Sequence, residues 1–379
     1  MKLLFLTHNY PLYEGDIRGR FFQPLIEGLL KNGIEVVVST PFWESEYDSG
    51  TEVLESIADE RVVRFLWEGA RLQALSPWRI KDLVNFTGFC RAWFRSTGKI
   101  IKNEGNFDFV LAAWAIPAGL LFFNKAFRDI RKGVWFLGTD FNRFMQFPFN
   151  KVLQGIVSRS DEVWANSKGM AEAVSAKLDR KTSFLPLIAG RPGCDTIPIR
   201  MDVPKGNTLR LLSIGRLESV KGFDLSVEAS LRLAEQGVDI EYEIIGDGPL
   251  REKLNRMIAG KTEKIRLLGK VDDETLLNHL ANCDAVIIPS RSEGMPLVFF
   301  EALEAGKMVI GTDVGDLGYC LRGSTLGRVT PVGDVEGLAE SMRMIVSGNF
   351  KYDRLAAEKI MNEYSIKSSV NKIKKAMTK

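Results

Sequence analysis

Two carboxylates, Glu293 and Glu301, form a Glu-x7-Glu pair within Ser290-Arg291-Ser292-Glu293-Gly294-Met295-Pro296-Leu297-Val298-Phe299-Phe300-Glu301-Ala302-Leu303-Glu304-Ala305-Gly306. The apolar run Ala285–Pro289 before them is expected as a buried parallel strand. Pro296 suits the first position of a helix, where its missing N–H costs nothing, and Gly306 suits the stop. Glu293 then lies in a strand-to-helix loop and Glu301 inside a helix, Pro296–Ala305, that is apolar nearly all round and expected to be buried. A carboxylate in such a helix needs a partner. The stretch from Gly294 to Val298 opens the helix, and N–H groups at a helix start, together with its dipole, make an anion site. One carboxylate beside an anion site and one deeper in the helix suit a ligand with phosphates and hydroxyls, such as a nucleotide sugar. A buried helix with a solvated glutamate at each end fits the same residues equally well.

Length and composition narrow the setting. The chain has 379 residues, 45% hydrophobic and 26% charged, which fits two globular domains and excludes a disordered chain. Cys90, Cys194, Cys283 and Cys320 lack metal or redox spacing and read as reduced thiols of a cytoplasmic protein. The opening Met1–Thr7 is too short for a signal peptide, and no apolar run reaches the length of a membrane span. A net charge of +3 is too small to point to nucleic acid. All seven tryptophans lie in the first 164 residues, either for packing or for an amphipathic or sugar-bearing partner.

Strand and helix patterns alternate along the chain. Lys2–Thr7 predicts a strand, Asn9–Gly19 a loop with Pro11, Gly15 and Gly19, Phe21–Lys31 a helix and Ile34–Ser39 a strand. This βαβ opening implies a parallel sheet, and glycines in its first loop let a ligand approach the backbone. An acidic loop follows from Glu44, then a strand at Arg61–Phe65. The stretch Trp67–Lys102 interleaves Arg71, Arg79, Lys81, Arg91, Arg95, Lys99 and Lys102 with Trp78, Phe86, Phe89, Trp93 and Phe94. It reads as a helix pair packed on the sheet with a solvated basic side, or as a face for an anionic membrane. Further strands are expected at Phe107–Ala112, Gly133–Leu137, Glu162–Ala165 and Ser183–Pro186, with helices to Phe127 and over Lys168–Leu178. Ile188–Asn207 is rich in Gly, Pro and Arg and reads as a linker. A second alternation follows: strands Leu209–Ile214, Ile240–Ile245, Ile265–Leu268, Ala285–Pro289 and Met308–Thr312, helices Phe223–Gln236, Pro249–Ile258 and Glu274–Ala281, and a helical tail from Val335. Two doubly wound α/β domains are expected to take a ligand in the cleft between them.

Three pieces of the second half then come together: Ser213-Ile214-Gly215-Arg216-Leu217-Glu218-Ser219-Val220-Lys221-Gly222, Ile244-Ile245-Gly246-Asp247-Gly248-Pro249-Leu250, and the Glu293/Glu301 pair. In this order and spacing the chain resembles the large retaining glycosyltransferase family 4 (glycosyltransferase group 1), closely in the second half and loosely in the first. The resemblance implies a GT-B fold: two Rossmann-like domains, acceptor-binding over 1–190 and nucleotide-sugar-binding over 208–363, with a linker at 191–207 and a C-terminal helix at 364–379 returning to the first domain. It implies that Arg216 and Lys221 grip the donor diphosphate, where two cations offset the charge of the leaving phosphate. By the same resemblance, Glu301 holds ribose hydroxyls and Glu293 faces the transferred sugar. Gly294, Met295, Pro296, Leu297 and Val298 then lie near sugar and phosphate, Gly246 beside the donor, and Lys270 and Val271 near the base. A tight turn alone also accounts for Gly246. Sugar transfer with retention and without a bound metal is implied, and no Asp-x-Asp metal grip occurs in the sequence. No cofactor is expected; the nucleotide-diphosphate sugar is a substrate, and the acceptor a glycan or lipid-linked molecule, at the inner face of the cytoplasmic membrane.

Departures from the family pattern lie mostly in the first half. Ala113 and Leu137 stand where histidines are common. On the acceptor side, Gly19, His8, Trp114 and Asp140 are the candidates; a lone histidine is more often structural, and Asp140 also suits a turn or helix cap. His279 reads as structural. Gly315-Asp316-Leu317-Gly318-Tyr319 replaces a Gly-Gly-Ile-Pro-Glu pattern. These departures leave two alternatives, a non-catalytic nucleotide-sugar or glycan-binding homologue and a nucleotide-sugar epimerase of the same fold.

Overall fold

The computed structural model describes residues 1–379 except 14, 15, 17, 44–55, 57, 58, 69–79, 145–148, 188–207 and 347–351. The expected linker, most of the acidic segment after Glu44, and Gly15, Arg71, Trp78 and Arg79 lie outside the described residues. The chain divides into two units, Met1–Ala189 with Tyr364–Lys379, and Gly190–Glu363.

In the N-terminal unit the strands are β1 (Lys2–Leu6), β2 (Glu35–Trp43), β3 (Arg61–Trp67), β4 (Phe109–Ala113), β5 (Arg131–Phe136), β6 (Glu162–Ala165) and β7 (Ser183–Phe184). They form a parallel sheet in the order β3-β2-β1-β4-β5-β6-β7, so the winding reverses between β1 and β4. Its helices are α1 (Gln23–Lys31), α2 (Ile80–Glu104), α3 (Thr139–Phe144), α4 (Phe149–Ser158) and α5 (Lys168–Leu178). The central strands β1 and β4 are nearly all apolar because both sheet faces are covered. Phe89 and Trp93 of α2 pack with Leu4, Leu6 and Val110 on one face, and Leu25, Ile26 and Leu29 of α1 pack with Leu3, Phe5 and Val36 on the other. Trp93 donates to Ser39 Oγ (3.0 Å) and Trp135 to the Leu185 carbonyl (3.1 Å), so these two tryptophans serve packing.

Of the basic-aromatic stretch, residues 80–102 lie in one 25-residue helix, Ile80–Glu104; 69–79 lie outside the described residues. The helix expected up to Phe127 is instead two 3-10 segments, Ala118–Phe123 and Lys125–Phe127. Asn124 breaks it: its backbone is extended, and its side chain accepts from Ala126 N–H at 3.0 Å to cap the second segment.

The C-terminal unit holds β8 (Thr208–Ile214), β9 (Asp239–Ile245), β10 (Ile265–Gly269), β11 (Ala285–Ile288), β12 (Met308–Thr312) and β13 (Gly327–Thr330). These strands are parallel in the order β10-β9-β8-β11-β12-β13, reversing between β8 and β11. The helices are α6 (Phe223–Glu235), α7 (Arg251–Ile258), α8 (Asp273–Asn282), α9 (Leu297–Glu304), α10 (Leu317–Leu321), α11 (Val335–Val346) and α12 (Arg354–Tyr364). Tyr242 is buried with its hydroxyl 2.7 Å from both Ser213 Oγ and Ser226 Oγ, tying β9 to β8 and α6. The last helix, α13 (Ile366–Met377), belongs to the N-terminal unit. It lies on α1 at Gly28, where a Cβ would stand 2.9 Å from Val370, and Ser369 Oγ donates to the Pro186 carbonyl at 2.6 Å.

Candidate functional site

In a doubly wound sheet, ligands bind beyond the carboxyl ends of the strands where the winding reverses. In the C-terminal unit that place holds the loops after β8 and β11. Lys221 ends a 3-10 turn, Ser219–Lys221, and Glu293 lies in the loop before α9. Lys221 Nζ donates to Glu293 Oε1, and Ser290 Oγ donates to the same oxygen at 3.1 Å. Lys221 and Glu293 keep 27% and 17% of their side-chain surface, so the pair is reachable from solvent.

A second set of contacts fixes the two loops to each other. Arg291 N–H donates to the Val220 carbonyl (2.7 Å), and Arg291 Nη1 to that of Ser219 (2.7 Å). The Arg291 guanidinium also donates to both Asp224 oxygens (2.8 and 3.0 Å), and Lys253 donates to Asp224 at 2.8 Å. Burial pushes the Asp224 carboxyl up, but the bonds from Arg291 and Lys253 outweigh it and hold the group at about 2. Gly222 is left-handed (φ +67), and a Cβ there would stand 2.0 Å from the Pro289 carbonyl oxygen, so the turn after Lys221 lies against the end of the β11 segment. Across the other side, Asp316 N–H donates to the Gly294 carbonyl (2.9 Å), and Gly315 packs against that carbonyl. Neither Arg291 nor Asp224 had an expected role; the available signal was an arginine two residues before Glu293 and an aspartate in the first turn of a helix.

The remaining expected residues are distributed unevenly. Arg216 does not join the Lys221–Glu293 pair: its side chain is 77% exposed and bonds Glu218 at 2.9 Å. Glu301 is buried in α9. Pro296 is the extended residue before α9 and not its first helical position, which Leu297 takes; Leu297 is half exposed and Val298 partly buried. Gly294 and Met295 are partly buried in the loop. The close approach at Gly246 is to the chain itself: its φ is +134, a Cβ would stand 1.9 Å from the Gly215 carbonyl oxygen, and its N–H donates to Gly269 at 2.8 Å. Lys270 and Val271 follow β10, two strands from the reversal. His279 Nδ1 lies 2.6 Å from Glu243, a contact away from these loops.

At the reversal of the N-terminal unit, His8 follows β1 and Trp114 follows β4, with ring centroids 4.5 Å apart. Phe21 and Phe22 edge onto Trp114 at 6.1 and 5.5 Å. His8 Nδ1 is buried without a hydrogen-bond partner among the described residues, and burial lowers the imidazole to about 4, so it is neutral near pH 7. Asp140 is a scaffold and not an open acid-base group. It is buried, with Oδ2 accepting from Ala115 N–H (2.7 Å) and Oδ1 from Leu137, Gly138 and Phe141 N–H (3.2, 3.0 and 3.0 Å). Burial pushes its carboxyl up to about 6, against those donors. It holds the Trp114–Ala115 corner, where Trp114 is left-handed (φ +67). Gly19, also left-handed, packs on the Asn9 carbonyl, where a Cβ would stand 2.1 Å from oxygen, so this approach too is internal. Ala113, where the family pattern has histidine, is a buried methyl at the end of β4.

The chain resembles known proteins in sequence over its second half and in fold over its whole length. Residues 208–347 match the family model described as glycosyl transferases group 1. That match lies wholly within the C-terminal unit. The chain is 31% identical over 148 residues to the amylovoran biosynthesis glycosyltransferase AmsK of Erwinia amylovora, a match covering 37% of this chain and 36% of the relative. It is 29% identical over 149 residues to the phosphatidyl-myo-inositol mannosyltransferase of Mycobacterium leprae, covering 39% and 40%. Each match thus spans well under half of the relative's length. Over the whole chain, the fold is that of the lipopolysaccharide outer core galactosyltransferase WaaB (TM-score 0.73, 15% identity, 100% and 99% covered). It is equally that of an E. coli trehalose-6-phosphate protein solved with UDP-2-fluoro glucose (TM-score 0.73, 12% identity, 100% and 99% covered). The two parallel sheets are those of the GT-B fold.

Proposed function

We propose that this protein is a retaining, metal-independent glycosyltransferase. It would move a sugar from a nucleotide-diphosphate sugar to a glycan or lipid-linked acceptor in surface polysaccharide or glycolipid synthesis, on the cytoplasmic side of a membrane. The observation that carries the reading is the Lys221–Glu293 pair at the β8/β11 reversal. Lys221 takes the diphosphate as a point charge, and Arg216, exposed and paired with Glu218, swings to the same phosphates. Glu293, released from Lys221, accepts from hydroxyls of the sugar, and Glu301 from those of the ribose.

In the reaction the bond from the anomeric carbon to phosphate oxygen breaks and its electron pair leaves with the nucleotide. The acceptor oxygen bonds to that carbon from the same side, and the acceptor's proton passes to the departing phosphate. Lys221 and Arg216 stabilise the charge as it builds, which is where fixed cations contribute most. Residues that match the donor site lie in the C-terminal unit, so His8 and Trp114 are assigned to the acceptor.

The test is transfer and donor hydrolysis by Glu293→Gln and Lys221→Ala, with thermal shifts against UDP-, GDP- and ADP-sugars. Loss of rate together with loss of a donor-induced shift is expected. Full activity in both variants would remove the assignment.

A further inference from the structure

Helix α2 presents a face that nothing in the reading above uses. Arg91, Arg95, Lys99 and Lys102 are all exposed. At about 100° per residue they fall within an arc of about 80°, and Val84 lies in the same arc. Buried Phe89, Trp93, Thr97 and Ile100 lie opposite, which is how the helix holds to the sheet. By the same count Asp82 and Glu104, the acidic residues of α2, sit on the inner side. Glu104 is engaged there by Lys2 (3.3 Å) and Arg61. None of the four cations has an ion-pair partner among the described residues.

A solvated face ordinarily mixes signs. The chain carries 51 Lys and Arg against 48 Asp and Glu, so four unopposed cations on one face exceed its whole net charge of +3. At the N-terminal end of α2, Val84 in that arc is 65% exposed, and Leu83, about 100° round the helix beside the arc, is 46% exposed. A polyanion such as RNA would use the cations and leave the two apolar side chains in water. A bilayer uses both, with phosphates on the cations and Leu83 and Val84 at the acyl boundary. From Val84 to Lys102 the helix runs about 27 Å, long enough to lie flat and engage several headgroups.

We propose that the outward face of α2 docks on an anionic lipid bilayer. This deepens the lipid-side reading of the acceptor but stands on α2 alone. The test is co-sedimentation of the full chain with vesicles of phosphatidylcholine, with and without phosphatidylglycerol, at low and high salt. Binding only to the anionic vesicles is expected, weakened about tenfold or more by salt and by the combined Arg91→Gln, Arg95→Gln, Lys99→Gln and Lys102→Gln changes. Leu83→Ser with Val84→Ser should weaken vesicle binding and leave heparin binding unchanged. Equal binding to neutral vesicles, no binding by the unaltered chain, full binding by the four-cation variant, or binding to heparin alone would each overturn the proposal. Melting temperature and donor-induced thermal shifts without vesicles should stay unchanged in these variants. Failure on vesicles with a normal donor shift counts against the α2 surface, and loss of the donor shift in the unaltered chain counts against the donor site.

Discussion

The two units reverse their winding in the same way and fill the reversal with opposite chemistry. In the C-terminal unit Lys221 meets Glu293 across β8 and β11, backed by Arg291, Asp224 and Lys253. In the N-terminal unit His8 meets Trp114 across β1 and β4, with a neutral imidazole among aromatic rings. Topology alone therefore offers a place, and the loop residues decide what it can hold. A cluster of fixed charges suits phosphate, and an aromatic corner suits the face of a sugar or an apolar carrier.

The sharpest way to break the contrast is to remove one side at a time. Lys221→Ala should lower transfer by on the order of 10²–10³-fold, the range seen when a fixed group that stabilises transition-state charge is lost. His8→Gln should leave the donor-induced thermal shift intact. Initial rates and thermal shifts on both variants decide this, and an equal loss of donor binding would erase the distinction between the two reversals.

The next effect tests whether Gly246, packed on the loop after β8, is architectural. Gly246→Ala places a Cβ against the Gly215 carbonyl at a left-handed backbone, and should cost on the order of 3 kcal/mol in urea unfolding. Gly237→Ala, also left-handed (φ +84) but with open space around it, should cost about 1 kcal/mol.

Smaller again is Asp140→Asn. It turns an acceptor of four N–H groups into a side chain that must face some of them with its own N–H, at about 2 kcal/mol, and should loosen the Trp114 corner. Trp fluorescence and a urea titration would read both effects.

The last expected effect is a pH slope. His8 has a folded-state pKa of about 4 against an ordinary 6.5, so between those values the unfolded chain binds the proton and the folded chain does not. Stability is thus lost as pH falls from 6.5 toward 4. His8→Phe keeps the ring contact with Trp114 and should flatten this slope in melting curves recorded from pH 7 to 5.

Legibility differed with the range of the interaction. Glu162–Ala165, Lys168–Leu178 and Met308–Thr312 were readable to the residue, because a short apolar run or a capped amphipathic repeat is a local pattern. Strand β13 was not: it has four residues, its Arg328 is exposed, and Gly327 is explained only by the Val309 carbonyl, 1.8 Å from where a Cβ would stand. Helices α3 and α4 were missed as well. Lys221 and Glu293 were picked out as candidates from their surrounding motifs, but their pairing across 72 positions was not legible. Asp140 was expected on the acceptor side and Gly246 beside the donor; what the structure shows at both is contact with the chain's own N–H and carbonyl groups.

By itself the sequence determined two alternating α/β units and the motifs of the second. Hydrophobic period and turn residues act over a few positions, and they are written in order along the chain. Only the tertiary structure decided which loop meets which: that Arg291 locks the Glu293 loop to the Lys221 turn, that Arg216 points to Glu218, and that the four cations of α2 share one face with no ion-pair partner among the described residues. Those outcomes depend on strand order and helix rotation, which bring together side chains that no local pattern connects.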